Sequence, residues 1–217
     1  MYKYIFFDLD GTVTASEEGI LNSVAYALEK LGHPVEDKKT LLPFIGPPLA
    51  DSFREFYGFD EKKCALGVKY YREYYPEKGI FENEVYDGIP ELLKKLSETD
   101  SKVIMATSKP EVFAKRIAEH FDIEQYFDLI AGSTFDSSRI GKTDVLRYAV
   151  EEIGAAGKLD ECLMIGDRKH DVIGAHEIGM KCAYVLFGYG SRDEAVEFGA
   201  EYIIDTVGSL GEFLMGA

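Results

Sequence analysis

The sequence predicts an α/β fold: a doubly wound, mainly parallel sheet with a helical domain inserted after the first strand. Three observations carry this. Short apolar runs alternate with segments of helical period along most of the 217 residues. Most of these runs lack polar/apolar alternation, as expected of strands buried on both faces. One stretch, residues 15 to 84, interrupts the alternation with helical patterns alone and is too long for a loop.

KYIFFD (3–8) is the first expected strand. Within the insert, EGILNSVAYALEKLG (18–32) brings Ile20, Val24, Leu28 and Leu31 onto one helical face and stops at Gly32. PPLADSFREFYGF (47–59) and ALGVKYYREYYPEKG (65–79) also have helical character, punctuated by Gly46-Pro47-Pro48 and by Pro76 to Gly79. Beyond the insert, helical segments are expected at 90–98, 110–121, 142–154 and 171–179. In the third, Val145, Leu146, Ala149, Val150 and Ile153 recur at helical spacing, with Gly154 as a stop. Strands are expected at 102–107, 127–132, 162–167, 182–187 and 201–205. Strand and helix in regular succession mean a doubly wound sheet. The expected organisation is an α/β core of residues 1–14 and 85–217 and a helical domain of residues 15–84. The helical domain follows directly on two aspartates, which favours a lid beside the mouth of the sheet over an inert insert.

Composition narrows the function. Lys plus Arg number 24 and Asp plus Glu 39, a formal net charge of −15, so nucleic acids and anionic membranes are repelled on average. A small anionic substrate remains compatible, since a local pocket and a cation override the global sign. No apolar run reaches transmembrane length, and the N-terminus lacks the pattern of a signal peptide, so a cytoplasmic location is expected. Cys64, Cys162 and Cys182 lie in apolar contexts without metal spacing and read as buried thiols. His33, His120, His170 and His176 form no metal or triad pattern.

Ligands of open α/β sheets bind at the carboxyl ends of the strands. Four such positions carry polar residues of one kind. The first strand ends in Asp8-Leu9-Asp10-Gly11-Thr12, the next in Thr107-Ser108, and a later one in Gly166-Asp167, with Asp171 four residues on; Lys142 opens a helix. Asp8 and Asp10, two apart, would project side by side from a strand, and Gly11 allows a sharp turn after them. SKPE (108–111) fits a capping box for the helix after Ser108. A helix N-terminus is itself an anion site, so Ser108 can serve structure and ligand together.

DLDGT, ATSK, the helix-opening lysine and GDRKHD, in that order, resemble the motifs of the haloacid dehalogenase-like (HAD) superfamily of phosphatases. The helical insert resembles the branch with a helical cap, which includes phosphoglycolate phosphatase-like enzymes. The resemblance covers nearly the whole chain. It implies a Rossmann-like core and a Mg²⁺-dependent phosphomonoester hydrolase. The implied substrate is a small phosphorylated metabolite: a phosphoglycolate-like acid, a nucleoside 5′-monophosphate or a sugar phosphate. The implied mechanism runs through an aspartyl-phosphate, with Asp8 as nucleophile and Asp10 as general acid/base. The implied Mg²⁺ ligands are the Asp8 carboxylate, the Asp10 backbone carbonyl and Asp167, with Asp171 as an outer ligand or orienting a metal-bound water. Asp171 reads equally well as an acid favoured at a helix N-terminus. Thr107 matches the hydroxyl that bonds phosphoryl oxygens, aided by Ser108. Lys142 matches the phosphate-neutralising lysine, although Thr143 follows it where many relatives have proline; Lys109 is the alternative donor. In the insert, IGPPL (45–49) resembles a substrate-specificity loop. Arg72, within YYREYY, is a candidate for a second anionic group of the substrate, set against plain aromatic core packing with a solvated arginine.

Two other functions fit the same fold. A phosphosugar mutase would return the phosphoryl group to a sugar, and a binding or regulatory protein would keep the fold without turnover. Haloacid dehalogenation needs neither Asp10 nor Mg²⁺, so Asp10 argues against it. The expected assembly is a monomer or homodimer.

Overall fold

A computed structural model of the chain describes residues 2–136 and 138–216; Met1, Ser137 and Ala217, assigned to the core from the sequence, lie outside the described residues. The chain divides into two compact units, Met1–Thr14 with Val85–Ala217, and Ala15–Glu84. In chain order the elements are β1 (Tyr4–Phe7), β2 (Thr14–Ala15), α1 (Glu17–Lys30), α2 (Leu49–Tyr57), α3 (Glu61–Tyr74), β3 (Glu84–Val85), α4 (Ile89–Ser97), β4 (Lys102–Pro110), α5 (Glu111–His120), β5 (Leu129–Ser133), α6 (Lys142–Glu152), β6 (Cys162–Gly166), α7 (Lys169–Ile178), β7 (Lys181–Val185), α8 (Arg192–Glu197), β8 (Tyr202–Ile204) and α9 (Val207–Met215). Among the described residues no helix is long and apolar enough to cross a membrane.

The first unit is built on one sheet of order β5-β4-β1-β6-β7-β8, every pair parallel. The chain winds outward from β1 through β4 to β5, then restarts at β6 on the other side and winds to β8. The direction of winding reverses beside β1, where diverging connections leave a crevice at the strand ends. All residues of β1 and β6 are buried, which is why YIFF and CLMIG are unbroken apolar runs. On one face Phe6, Met164 and Tyr184 pack with Val145, Leu146 and Val172 of α6 and α7.

The helical unit packs α1 against α3, and α2 against α3. A 3₁₀ segment, Lys38–Phe44, adds Phe44 to an aromatic cluster with Phe53, Tyr57 and Phe59. Tyr71 and Tyr75 are buried and stack on each other with centroids 5.2 Å apart.

Some elements carried no readable pattern. The short strands β2 and β3, two residues each, pair with each other. Helix α8 is six charged-rich residues, too short for a period, and α9 contains Gly208 and Gly211, which lower helix propensity. Thr206 starts α9 instead, its hydroxyl accepting from the Ser209 amide.

Candidate active site

Strand β1 ends at Phe7, so Asp8 and Asp10 stand beyond it rather than as alternate strand residues. The Asp8 amide still donates to the Ile165 carbonyl at 2.8 Å, which keeps Asp8 aligned with the end of β6. The chain then coils back: the Leu9 carbonyl accepts from the amides of Thr12, Val13 and Thr14. Gly11 makes this possible, with φ at +83°. A Cβ on Gly11 would also fall 2.1 Å from Asp167 Oδ2, so the turn lies directly against the Asp167 carboxylate.

Lys142, the first residue of α6, is buried. Its ammonium lies 2.7 Å from Asp8 Oδ1 and 2.8 Å from Asp171 Oδ1, and donates to the Ala106 carbonyl at 2.9 Å. Burial works against the charge, but Asp171 and Asp8 outweigh it and hold the Lys142 pKa above its ordinary value. Thr143 does not disturb the helix start; its hydroxyl donates to Glu177 at 2.7 Å. Lys109 also reaches the site, with its ammonium 3.0 Å from Asp10 Oδ2. The two lysines, weighed as alternatives in the sequence, are thus both present, Lys142 on Asp8 and Asp171 and Lys109 on Asp10.

Thr107 is buried and its hydroxyl accepts from the Lys109 amide at 3.2 Å. Ser108 is exposed, and the capping box expected of SKPE does not form. The chain stays extended through Pro110, which pairs with Ser133, so α5 starts after Pro110 without a side-chain cap. Glu111 instead pairs with Lys115 at 2.7 Å and Arg139 at 2.6 Å.

Asp8, Asp167 and Asp171 offer carboxylate oxygens that all lie within 4.8 Å of one another. Burial, then repulsion from Asp171 and Asp8, pushes Asp167 well above the usual carboxylate range. Burial likewise raises Asp8, against the pull of Lys142. Asp167 Oδ2 accepts from the Tyr189 amide at 2.7 Å, while Oδ1 is buried with no hydrogen-bond partner among the described residues. Asp171 Oδ2 accepts from the Arg168 amide at 3.0 Å, so one carboxylate both braces the start of α7 and joins the cluster. An unsatisfied buried oxygen within an all-oxygen donor set fits a hard divalent cation such as Mg²⁺.

Arg72 is exposed on α3 of the helical unit, which also contains IGPPL, whereas the candidate catalytic and metal-binding residues all belong to the α/β unit. IGPPL joins the 3₁₀ segment to α2. The sequence reading missed Tyr189, whose amide reaches the Asp167 carboxylate. The available signal was FGYGS (187–191), two glycines around a tyrosine after an apolar strand.

The model of the haloacid dehalogenase-like hydrolase family matches residues 5–185. The chain is 46% identical over 193 residues to a 5′-nucleotidase of Pseudomonas aeruginosa, covering 89% of this chain and 86% of that protein. It is 39% identical over 191 residues to the tyrosine-protein kinase PtkA of Mycobacterium tuberculosis, covering 88% of this chain and 64% of that one. Among solved structures, a predicted phosphatase from Clostridium acetobutylicum is 46% identical, with a TM-score of 0.93 over the whole of both chains. A phosphatase-like protein from Clostridium difficile is 45% identical, with a TM-score of 0.89 over 98% of each chain.

Proposed function

Because the chain belongs to the haloacid dehalogenase-like hydrolases and is a phosphatase of that family, we propose that it hydrolyses a small phosphomonoester, with Mg²⁺, through an aspartyl-phosphate on Asp8. The observation that carries this is the setting of Asp8, one oxygen 2.7 Å from the Lys142 ammonium and the carboxylate clustered with Asp167 and Asp171. Of the candidate substrates, a nucleoside 5′-monophosphate is favoured by the likeness to the Pseudomonas aeruginosa 5′-nucleotidase.

In the first step an Asp8 oxygen forms a bond to phosphorus as the ester P–O bond breaks, and Asp10 gives its proton to the leaving alkoxide. In the second, water loses a proton to Asp10 and attacks phosphorus; the bond to Asp8 breaks and inorganic phosphate leaves. Lys142 and Thr107 bind the phosphoryl oxygens, and Lys109 orients Asp10. Asp8, Asp167, Asp171 and the Asp10 carbonyl would hold Mg²⁺, which when bound offsets negative charge on the phosphoryl group. The helical unit, residues 15–84, is proposed as the cap that selects the rest of the substrate, with Arg72 as its candidate contact for an anionic group.

The test is phosphate release from a panel of nucleotides, sugar phosphates and phosphoglycolate with Mg²⁺. Asp8→Asn should lose turnover on the order of 10³-fold or more. An Asp8→Asn protein as active as wild type would sink the covalent mechanism.

A further inference from the structure

A single oxygen, Glu194 Oε1, ties down the segment that follows Asp167. It accepts from the Lys169 amide at 2.8 Å, from the Tyr184 hydroxyl at 2.8 Å and from Arg168 Nε at 3.2 Å. Two of these donors belong to the residues directly after Asp167. Glu194 is itself fixed at the start of α8, where its amide donates to the Ser191 hydroxyl at 3.2 Å. The third donor, Tyr184, carries the tie into β7 and the fully buried core.

The loop between β7 and α8 closes the arrangement. The Tyr189 amide holds Asp167 Oδ2 at 2.7 Å. A Cβ on Gly190 would fall 1.7 Å from the Tyr184 hydroxyl and 2.1 Å from the Asp167 carbonyl oxygen. The loop, the tyrosine and the Asp167 backbone therefore meet with no spare space, and Glu194 binds the tyrosine and the start of α7 together. Asp171 depends on the same segment, since its carboxylate accepts from the Arg168 amide.

We infer that Glu194 is a positioning residue for the Asp167–Asp171 segment, and through it sets how tightly the carboxylate cluster holds a divalent cation. This rests on the Mg²⁺ reading proposed above. Groups that orient metal-binding side chains typically govern affinity by about 10–100-fold. A merely structural role, an acid stabilising the start of two helices, would change the unfolding midpoint and leave cation affinity alone.

The experiment is calorimetric Mg²⁺ titration of the full chain, with thermal unfolding of the metal-free proteins alongside. Wild type should bind Mg²⁺ and Asp167→Asn should lose binding. Glu194→Ala should weaken the dissociation constant by about tenfold or more. Glu194→Gln should stay within about threefold of wild type, because its carbonyl oxygen still accepts from Lys169 and Tyr184. If Glu194→Ala does not fold, Glu194→Asp replaces it: the shorter side chain keeps the charge but withdraws the oxygen, and weaker binding is again expected. A folded Glu194→Ala or Glu194→Asp protein with wild-type affinity overturns the inference and leaves the Mg²⁺ reading standing. A wild type that binds no Mg²⁺, with Asp167→Asn indistinguishable from it, overturns both.

Discussion

Gly11→Ala tests how closely the first motif is built against Asp167. Two penalties are expected. The residue sits at φ +83°, where a Cβ costs roughly 1–2 kcal/mol. The new Cβ would also lie 2.1, 2.5 and 2.8 Å from Asp167 Oδ2, Cγ and Oδ1, closer than Cβ atoms approach other heavy atoms. The whole carboxylate must retreat. It is fully buried and held by the Tyr189 amide, so the retreat breaks a buried hydrogen bond worth about 1–3 kcal/mol. The expected loss is about 2–5 kcal/mol. Gly154→Ala is the control in the same unit, with φ +70° and nothing within 4 Å of the added Cβ. It should cost only the backbone penalty of about 1–2 kcal/mol. Urea unfolding of both proteins, followed by far-ultraviolet circular dichroism, measures the difference, and Mg²⁺ titration should show weakened binding in Gly11→Ala alone. Equal destabilisation by the two substitutions, with equal Mg²⁺ affinity, would refute the crowding argument.

Lys142→Met removes the ammonium between Asp8 and Asp171 and should lower metal-free stability by about 3–5 kcal/mol, the usual penalty for stripping one partner from a buried ion pair. Saturating Mg²⁺ should restore part of the loss; an unchanged urea midpoint without metal would count against the pairing. Glu201 governs part of the acid limb. Burial alone would raise its pKa, but the Cys182 amide at 2.8 Å and His176 at 3.2 Å outweigh it and hold it below the ordinary 4.5. A carboxylate with a depressed folded-state pKa contributes fully above its unfolded value and loses that contribution as pH falls through the lower one. Glu201→Gln should therefore flatten the fall in unfolding midpoint as pH drops below the ordinary 4.5, and an unchanged slope would contradict this.

Strands buried on both faces leave a plain trace, because no polar residue is tolerated along them; YIFF and CLMIG show this directly. Asp8, Asp167 and Lys142 were readable for the same reason, each closing such a run or opening the next periodic helix. Local signatures fared worse where sheet pairing opposed them. SKPE has the letters of a capping box, yet the pairing of Pro110 with Ser133 keeps Ser108 in extended chain. Lys109 pairs with Asp10 across the fold, a contact set by the irregular end of β4 and written in no local pattern. Tyr189 acts through its backbone amide, so only its flanking glycines in FGYGS, not its side chain, mark the contact in the sequence. Glu194 resembles any acid in the first turn of a short helix until β7 and α7 are seen to meet on it.

The electrostatics of the site bear on the order in which charge must be supplied. Four carboxylates, Asp8, Asp10, Asp167 and Asp171, face two ammonium groups, Lys109 and Lys142. Lys142 is already shared between Asp8 and Asp171, and Lys109 is engaged with Asp10. The lysines thus hold the acids in place, and Lys142, the proposed phosphoryl ligand, already shares its charge with two of them, so an incoming phosphate would meet a pocket still short of positive charge. Asp167 is the carboxylate with no lysine beside it in these pairs, and its buried Oδ1 accepts no hydrogen bond among the described residues. A divalent cation beside that oxygen would relieve the cost of burying it and offset the substrate charge at the same time. On the Mg²⁺ reading proposed above, the cation would first offset the protein's own acids, and its service to the phosphoryl group would follow from where those acids stand.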